Sequence, residues 1–224
     1  MEQYRRYAIY YTPPAGPFAD FGASWLGWDL DRGRAIVPSM PDLGPFLRKA
    51  ASYGFHATLK APFRLADGVG VRDLLEAASR LVADLAAPPL PMLRLDRVGG
   101  CFALIPGGDT AELDAFSGTI VRQLDPLRAP LIEAELVRRN PSRLSPRQRQ
   151  LLMQWGYPYV CDEFRFHMTL SDPLDDDMTQ IVSARILDLL DGVAMPARAD
   201  AISLVGEGAD GSFRLISRLA LKSG

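Results

Sequence analysis

Gly54-Phe55-His56-Ala57-Thr58-Leu59-Lys60 and Arg165-Phe166-His167-Met168-Thr169-Leu170 carry the same pentad, Phe-His-x-Thr-Leu, about half a chain apart. The 224-residue chain has two histidines, and each holds the same place in its copy. Both stretches are rich in strand formers. In a strand, alternate side chains point to opposite faces. His56, Thr58 and Lys60 then share one face, and Phe55, Ala57, Leu59 and Ala61 the other. Likewise Arg165, His167 and Thr169 lie opposite Phe164, Phe166, Met168 and Leu170. Each strand is apolar on one side and offers an imidazole, a hydroxyl and a cation on the other.

If the two strands face each other across a groove, two imidazoles and two hydroxyls converge there, with Lys60 and Arg165 beside them. That set suits phosphoryl chemistry. A neutral imidazole can take a proton from an attacking water or hydroxyl, and a protonated one can donate to the leaving oxygen. An imidazole titrates near ~6.5, so both states are accessible at neutral pH. Thr58 and Thr169 can hydrogen-bond non-bridging phosphate oxygens, and a cation can stabilise developing charge. Neither a metal nor a cofactor is expected. The plainer reading is a duplication kept for packing; a single strand histidine is usually a packing or surface residue. In both copies, however, the polar face stays polar where a core would be apolar.

Outward from the pentads, residues 4–12 read as a strand ended by Pro13-Pro14, and 17–27 as a helix with Phe18, Phe21 and Trp25 at helical spacing. Residues 29–45 are turn-rich. Residues 55–63 form the first pentad strand, and 71–87 an amphipathic helix stopped by Pro88-Pro89. Gly99-Gly100 joins strands 93–98 and 101–105 in a hairpin. A helix follows over 110–124. The long connection 125–159 holds one helical piece, opened by Ser145-Pro146 and continued over 148–155. Residues 164–170 form the second pentad strand, and 175–190 a helix with acids at its N-terminus. Strands 201–205 and 213–221 close the chain around a turn at Gly206 to Gly211, which no helix follows and which is therefore no phosphate loop. This order predicts an α+β architecture with largely antiparallel sheet.

The net charge of −2, with 25 basic and 27 acidic residues, does not indicate a surface for long nucleic acid. Cys101 and Cys161 are far apart and make no zinc-type cluster, so both are expected as thiols. The N-terminal MEQYRRYAIYY lacks a signal-peptide apolar core, and no apolar run approaches ~18 residues. The expected compartment is the cytoplasm, with no membrane partner.

Other residues carry two readings each. Arg138, Arg139 and Arg143 form a phosphate clamp on a flap, or a solvated charge run. Tyr157 and Tyr159 stack on a base or sugar, or pack beneath that flap. Tyr7, Ile9 and Tyr11 share one face of the first strand, with Ala8 and Tyr10 on the other. A tyrosine hydroxyl from this strand can reach the groove; the alternation does not say which, and Tyr11 is taken as the candidate. Asp175-Asp176-Asp177 reads as a solvated helix N-terminus rather than a cation site.

The two His-x-Thr motifs and the strand–helix order resemble the 2H phosphoesterase superfamily. Its members include RNA 2′,3′-cyclic phosphodiesterases, RNA ligase-like proteins and nucleotide cyclic phosphodiesterases. The resemblance covers most of the chain outside 128–159. It implies a single bilobal domain over 1–224: two pseudo-symmetric lobes of mainly antiparallel sheet flanked by helices, with a flap at about 128–160. It implies a central cleft lined by His56, Thr58, His167 and Thr169. A narrower stretch, Tyr53-Gly54-Phe55-His56-Ala57-Thr58-Leu59-Lys60-Ala61-Pro62-Phe63, is similar to the bacterial DUF1045 branch. Arg138-Arg139-Asn140-Pro141, Leu144-Ser145-Pro146 and Trp155-Gly156-Tyr157-Pro158-Tyr159 add to that similarity. The branch is associated with carbon–phosphorus lyase genes, and phosphonate breakdown passes through a phosphoribosyl cyclic phosphate. The resemblance therefore implies a metal-independent phosphodiesterase acting on a small phosphorylated substrate such as a sugar cyclic phosphate. Two other readings stay open: an RNA-end or 2′,3′-cyclic nucleotide phosphodiesterase or ligase acting on a short RNA end, and a binding module for phosphate ligands without turnover.

Overall fold

The computed structural model describes residues 4–222. Strand β1 (Tyr7–Tyr11) leads to helix α1 (Pro17–Leu26), closed by Gly27 in the left-handed region at φ 70°. A two-residue hairpin, β2 (Trp28–Asp29) and β3 (Arg34–Ala35), is followed by α2 (Arg48–Tyr53) and β4 (Ala57–Phe63). Helix α3 (Val71–Val82) buries Leu74, Ala78 and Val82. Then come β5 (Leu93–Val98), β6 (Cys101–Pro106), α4 (Ala111–Leu124), α5 (Glu133–Arg139) and α6 (Pro146–Trp155). Short β7 (Met168–Thr169), α7 (Asp176–Leu190), β8 (Ala201–Glu207) and β9 (Phe213–Ala220) complete the described chain.

Local chemistry explains several boundaries. Ser145 accepts a hydrogen bond from the Gln148 N–H while Gln148 accepts from the Ser145 N–H, a reciprocal cap that starts α6. Asp175 accepts from the Met178 N–H at the start of α7. Two helices are unforeseen in the sequence reading, α2 between the turn-rich segment 29–45 and the first pentad strand, and α5 in the long connection. Helix α3 ends five residues short of Ala87; the chain there passes through turns bonded Asp84 N–H to Leu81 O and Leu85 N–H to Val82 O.

Seven strands make one sheet in the order β5-β6-β7-β4-β1-β8-β9. Every neighbouring pair is antiparallel. The fold is therefore α+β with a large antiparallel sheet flanked by helices. The two pentads do not face each other from separate sheets. β4 and β7 are hydrogen-bonded neighbours in one sheet, so neither leaves a free edge.

The core lies between one sheet face and the apolar stripes of α1, α3, α4 and α7. Tyr7, Ile9, Tyr11, Ala57, Leu59, Met168 and Leu170 all point into it. Trp25 is fully buried and its indole N–H donates to the Leu170 carbonyl at 2.6 Å, tying α1 to the end of β7. Truncating such a side chain costs about 3–5 kcal/mol. On the opposite face a smaller cluster, Ala8, Tyr10, Leu30, Val205 and Phe213, packs with Tyr53.

Alternation holds through the pentads and breaks just after the first. Tyr10 pairs with Thr58 but Ile9 pairs with Lys60, so β4 has one residue more than β1 there. A bulge of this kind turns every later side chain to the other face. Lys60 therefore leaves the side of His56 and Thr58. It is 3% exposed, and its Nζ donates to the Val121 carbonyl and to Asp125 Oδ1 at 3.1 Å. Burial pushes its pKa down, and Asp125 opposes that shift. The expectation that Lys60 lines the groove is corrected. So is that for Tyr11, which is fully buried on the core face, its ring 5.7 Å from that of Phe166. Its neighbour Tyr10 takes the groove side.

Among the described residues no helix is long and apolar enough to cross a membrane.

Candidate active site

The antiparallel pairing of Ala57 with Met168 sets the site. Continued one residue each way, it puts His56 opposite Thr169 and Thr58 opposite His167. Directly opposed side chains stand about 4.5–5.5 Å apart at Cβ, and diagonal ones about 7–8 Å. The two imidazoles thus occupy one diagonal of a rectangle and the two hydroxyls the other. All four residues line one cavity of about 400 Å³, within the size range of small-molecule sites. Arg6, Arg138, Arg139 and Tyr157 form a further part of its wall, and Lys49, Ser171 and Asp172 another.

Both imidazoles are anchored alike. His56 Nδ1 lies 2.9 Å from the Gly54 carbonyl, and His167 Nδ1 lies 2.7 Å from the Arg165 carbonyl. A carbonyl only accepts, so Nδ1 carries the proton in each ring and Nε2 is the nitrogen left for other partners. His56 Nε2 accepts from the Thr58 hydroxyl at 3.0 Å. Gly54 makes the turn into the strand at φ 75°, and Leu30 packs where a Cβ would stand.

His56 is 8% exposed. The Tyr10 ring stacks on it with centroids 3.7 Å apart, and the Tyr53 ring lies parallel at 6.2 Å. Burial lowers its pKa to about 4; the Gly54 carbonyl works against this and His167 adds to it. His56 is therefore held neutral, with the Nε2 lone pair presented. Asp172 caps the start of α2, accepting from the backbone N–H of Lys49 and Ala50. That contact sets α2, which ends in Tyr53, against the end of the second pentad.

The remaining candidates divide. Arg138, Arg139 and Tyr157 line the cavity. Tyr159 is 46% exposed and, with Arg165, lines an adjoining cavity that shares Thr58, Tyr157 and His167. Arg143 is exposed beyond the turn at Asn140, φ 46°, and is not among the lining residues. Residues not singled out from the sequence also join the site: Arg6, Tyr10, Tyr53 and Lys49. Tyr53 was within reach, since it heads the stretch Tyr53-Gly54-Phe55-His56. Arg6 carries no local signal; the pairing of β1 with β4 brings it in.

Residues 58–214 match the family model described as "Protein of unknown function (DUF1045)". That span takes in the second pentad and starts two residues after His56. Two curated relatives carry the name "Ribose 1,5-bisphosphate phosphokinase PhnN". The protein from Janthinobacterium sp. (strain Marseille) is 40% identical over 180 residues, 77% of this chain and 40% of the relative. The protein from Laribacter hongkongensis (strain HLHK9) is 35% identical over 180 residues, 76% of this chain and 41% of the relative. The chain thus spans about two fifths of the length of these curated relatives.

Proposed function

We propose that this chain, which belongs to the DUF1045 family, is a metal-independent phosphodiesterase that hydrolyses a cyclic phosphodiester by acid–base catalysis between two histidines. The observation that carries this reading is the shared anchoring of both imidazoles, with Nδ1 on a backbone carbonyl so that Nε2 is the nitrogen left for proton transfer, in a cavity that also holds Thr58 and Thr169. It supports assigning the two motifs to one pseudo-symmetric unit of the 2H phosphoesterase kind, with residues 128–160 as a flap.

In this reading His56 is the base, because burial favours its neutral form. Its Nε2 takes a proton from water as the water oxygen bonds to phosphorus. The bond from phosphorus to the leaving ring oxygen breaks, and that oxygen takes a proton from His167 Nε2. Thr169 donates to a non-bridging oxygen, and Thr58 does the same once its single hydroxyl proton turns from His56 Nε2 to the phosphate, which frees that lone pair for the water proton. A base near 4 is weak on its own, but the bound phosphate's negative charge raises it toward the useful range.

The substrate class follows the resemblance to the phosphonate-metabolism branch, and the relatives' ribose bisphosphate name favours a phosphorylated pentose. Their kinase name is not carried over. It describes proteins of which this chain matches two fifths, and the sequence has no GxxxxGK[ST] phosphate loop. The test is a panel of 2′,3′-cyclic nucleotides and ribosyl 1,2-cyclic phosphates followed by phosphorus NMR. Ring opening that persists in EDTA and is lost in His56→Ala and in His167→Ala is expected. A panel without turnover, or loss in EDTA with recovery on adding a divalent cation, overturns the reading.

A further inference from the structure

His56 has to become a cation in a place that resists one. Its side chain is almost fully buried. Among the described residues no carboxylate pairs with it: Nδ1 meets the Gly54 carbonyl and Nε2 the Thr58 hydroxyl. The titratable groups facing it are His167 from β7, Tyr10 from β1 and Tyr53 from the end of α2. The charged side chains on the rest of the cavity wall are Arg6, Lys49, Arg138, Arg139 and Asp172, with cations in excess. Cys101 and Tyr157 also line it, and burial pushes both upward, so they stay neutral. Both Asp172 oxygens are already engaged by backbone N–H groups of α2. Neither burial nor these charges favour an imidazolium, so another contact has to hold it once Nε2 has taken the water proton.

Tyr10 is placed to do so. Its ring stacks on the imidazole with centroids 3.7 Å apart and planes inclined by 25°. A cation over a tyrosine face within about 6 Å is attracted by the ring quadrupole, most strongly where water is excluded. Strand register makes the contact: Tyr10 is paired with Thr58 on one side and Ser203 on the other, and it is fully buried in the cluster of Ala8, Leu30, Val205 and Phe213. Among the described residues its hydroxyl has no hydrogen-bond partner, which leaves the ring face as the part that acts on the site. The contact belongs to one histidine alone, since among the described residues no aromatic ring stacks on His167.

We propose that Tyr10 is the positioning residue of the base: its ring face fixes the plane of the His56 imidazole and stabilises, through a cation–π contact, the imidazolium that forms as Nε2 accepts the proton of the attacking water. The inference rests on the reaction proposed above. It gives the charged base an aromatic face from β1 where a carboxylate is lacking.

Tyr10→Leu keeps an apolar side chain and removes the ring face. It should lower kcat by about 5–30-fold with KM for the cyclic phosphodiester nearly unchanged, because the cation is absent from the ground state. The acidic limb of kcat should move to lower pH, whereas a merely looser fold would admit water to His56 and move it upward. Tyr10→Phe should recover most of the rate. Fluorinated phenylalanines introduced in place of Tyr10 keep the ring's shape and weaken its quadrupole, so kcat should fall with each added fluorine, and the series decides even where Tyr10→Leu does not fold. The same variants carrying His167→Gln retain one histidine, whose ring titration is followed by nitrogen NMR; its midpoint should fall in Tyr10→Leu and along the fluorine series. Falling midpoints without turnover of any cyclic phosphodiester support the contact and overturn the reaction. Midpoints that stay level along the fluorine series, a loss in Tyr10→Leu that Tyr10→Phe does not recover, or a limb that moves upward overturn the inference and leave the reaction standing.

Discussion

His56 and His167 are fixed by the same contact: each Nδ1 meets the backbone carbonyl two residues upstream, Gly54 at 2.9 Å and Arg165 at 2.7 Å. The contact sets the same tautomer in both rings. With Ala57 paired to Met168, it aims two Nε2 atoms from adjacent antiparallel strands into one cavity, with a threonine opposite each ring. What differs is the environment. His56 is buried under Tyr10, whereas His167 is half-buried.

His56→Ala and His167→Ala should each lower kcat by a factor on the order of 10²–10⁴. Thr58→Val and Thr169→Val should be milder. Each removes one hydrogen bond to a charged oxygen, worth about 1.5–3 kcal/mol, while keeping shape and strand propensity. Steady-state kinetics on folded variants decides. A threonine variant as inactive as a histidine variant would assign the hydroxyl a role in proton transfer or attack.

The folded-state pKa of His56, about 4, lies below the ~6.5 of a free imidazole. In kcat/KM, which reports the free protein, the acidic limb should fall near 4. In kcat, phosphate in the site should move that limb upward. The same shift affects stability. Between these two pKa values the unfolded chain binds more protons than the folded one. This contribution is complete above about 6.5 and declines as pH drops toward 4. Urea midpoints for the wild type and His56→Gln should therefore diverge, with the wild type losing relatively more at low pH. Parallel midpoints across that window would count against the buried neutral ring.

Lys60 serves the fold rather than the ligand. Lys60→Met, similar in volume, should leave KM for the phosphodiester unchanged. Asp125→Ala leaves a buried cation with its partner removed and should cost about 3–5 kcal/mol, read by denaturant unfolding. A large rise in KM for Lys60→Met would return this side chain to the groove.

Gly22 in α1 sits against Phe55, the residue before His56, and a Cβ there would fall inside the Phe55 ring. Gly22→Ala should cost at least about 1–3 kcal/mol by overpacking. It should also reduce kcat by displacing His56. A thermal melt and a rate on the same sample test both effects; an unchanged melting temperature would show that α1 can give way.

The pentads were legible from sequence because strand periodicity is a property of the local backbone: His56, Thr58, His167 and Thr169 lie on the polar side and Ala57, Leu59, Met168 and Leu170 in the core. The Gly99-Gly100 hairpin and the span of α4 were readable for the same reason. Lys60 was not, since Leu59-Lys60-Ala61 continues the alternation and only the pairing with β1 reveals the extra residue. Nor could the chain say whether Tyr10 or Tyr11 meets the groove, because consecutive aromatics differ only in which face the helices cover. Helix α5 lacks a clear apolar stripe and buries none of its side chains fully, so it left no periodic signal. Arg6, Tyr53 and Arg139 come from three separate segments. Local geometry places a side chain on a face; which distant side chains it meets there depends on strand register and helix docking, set by packing across the whole sheet.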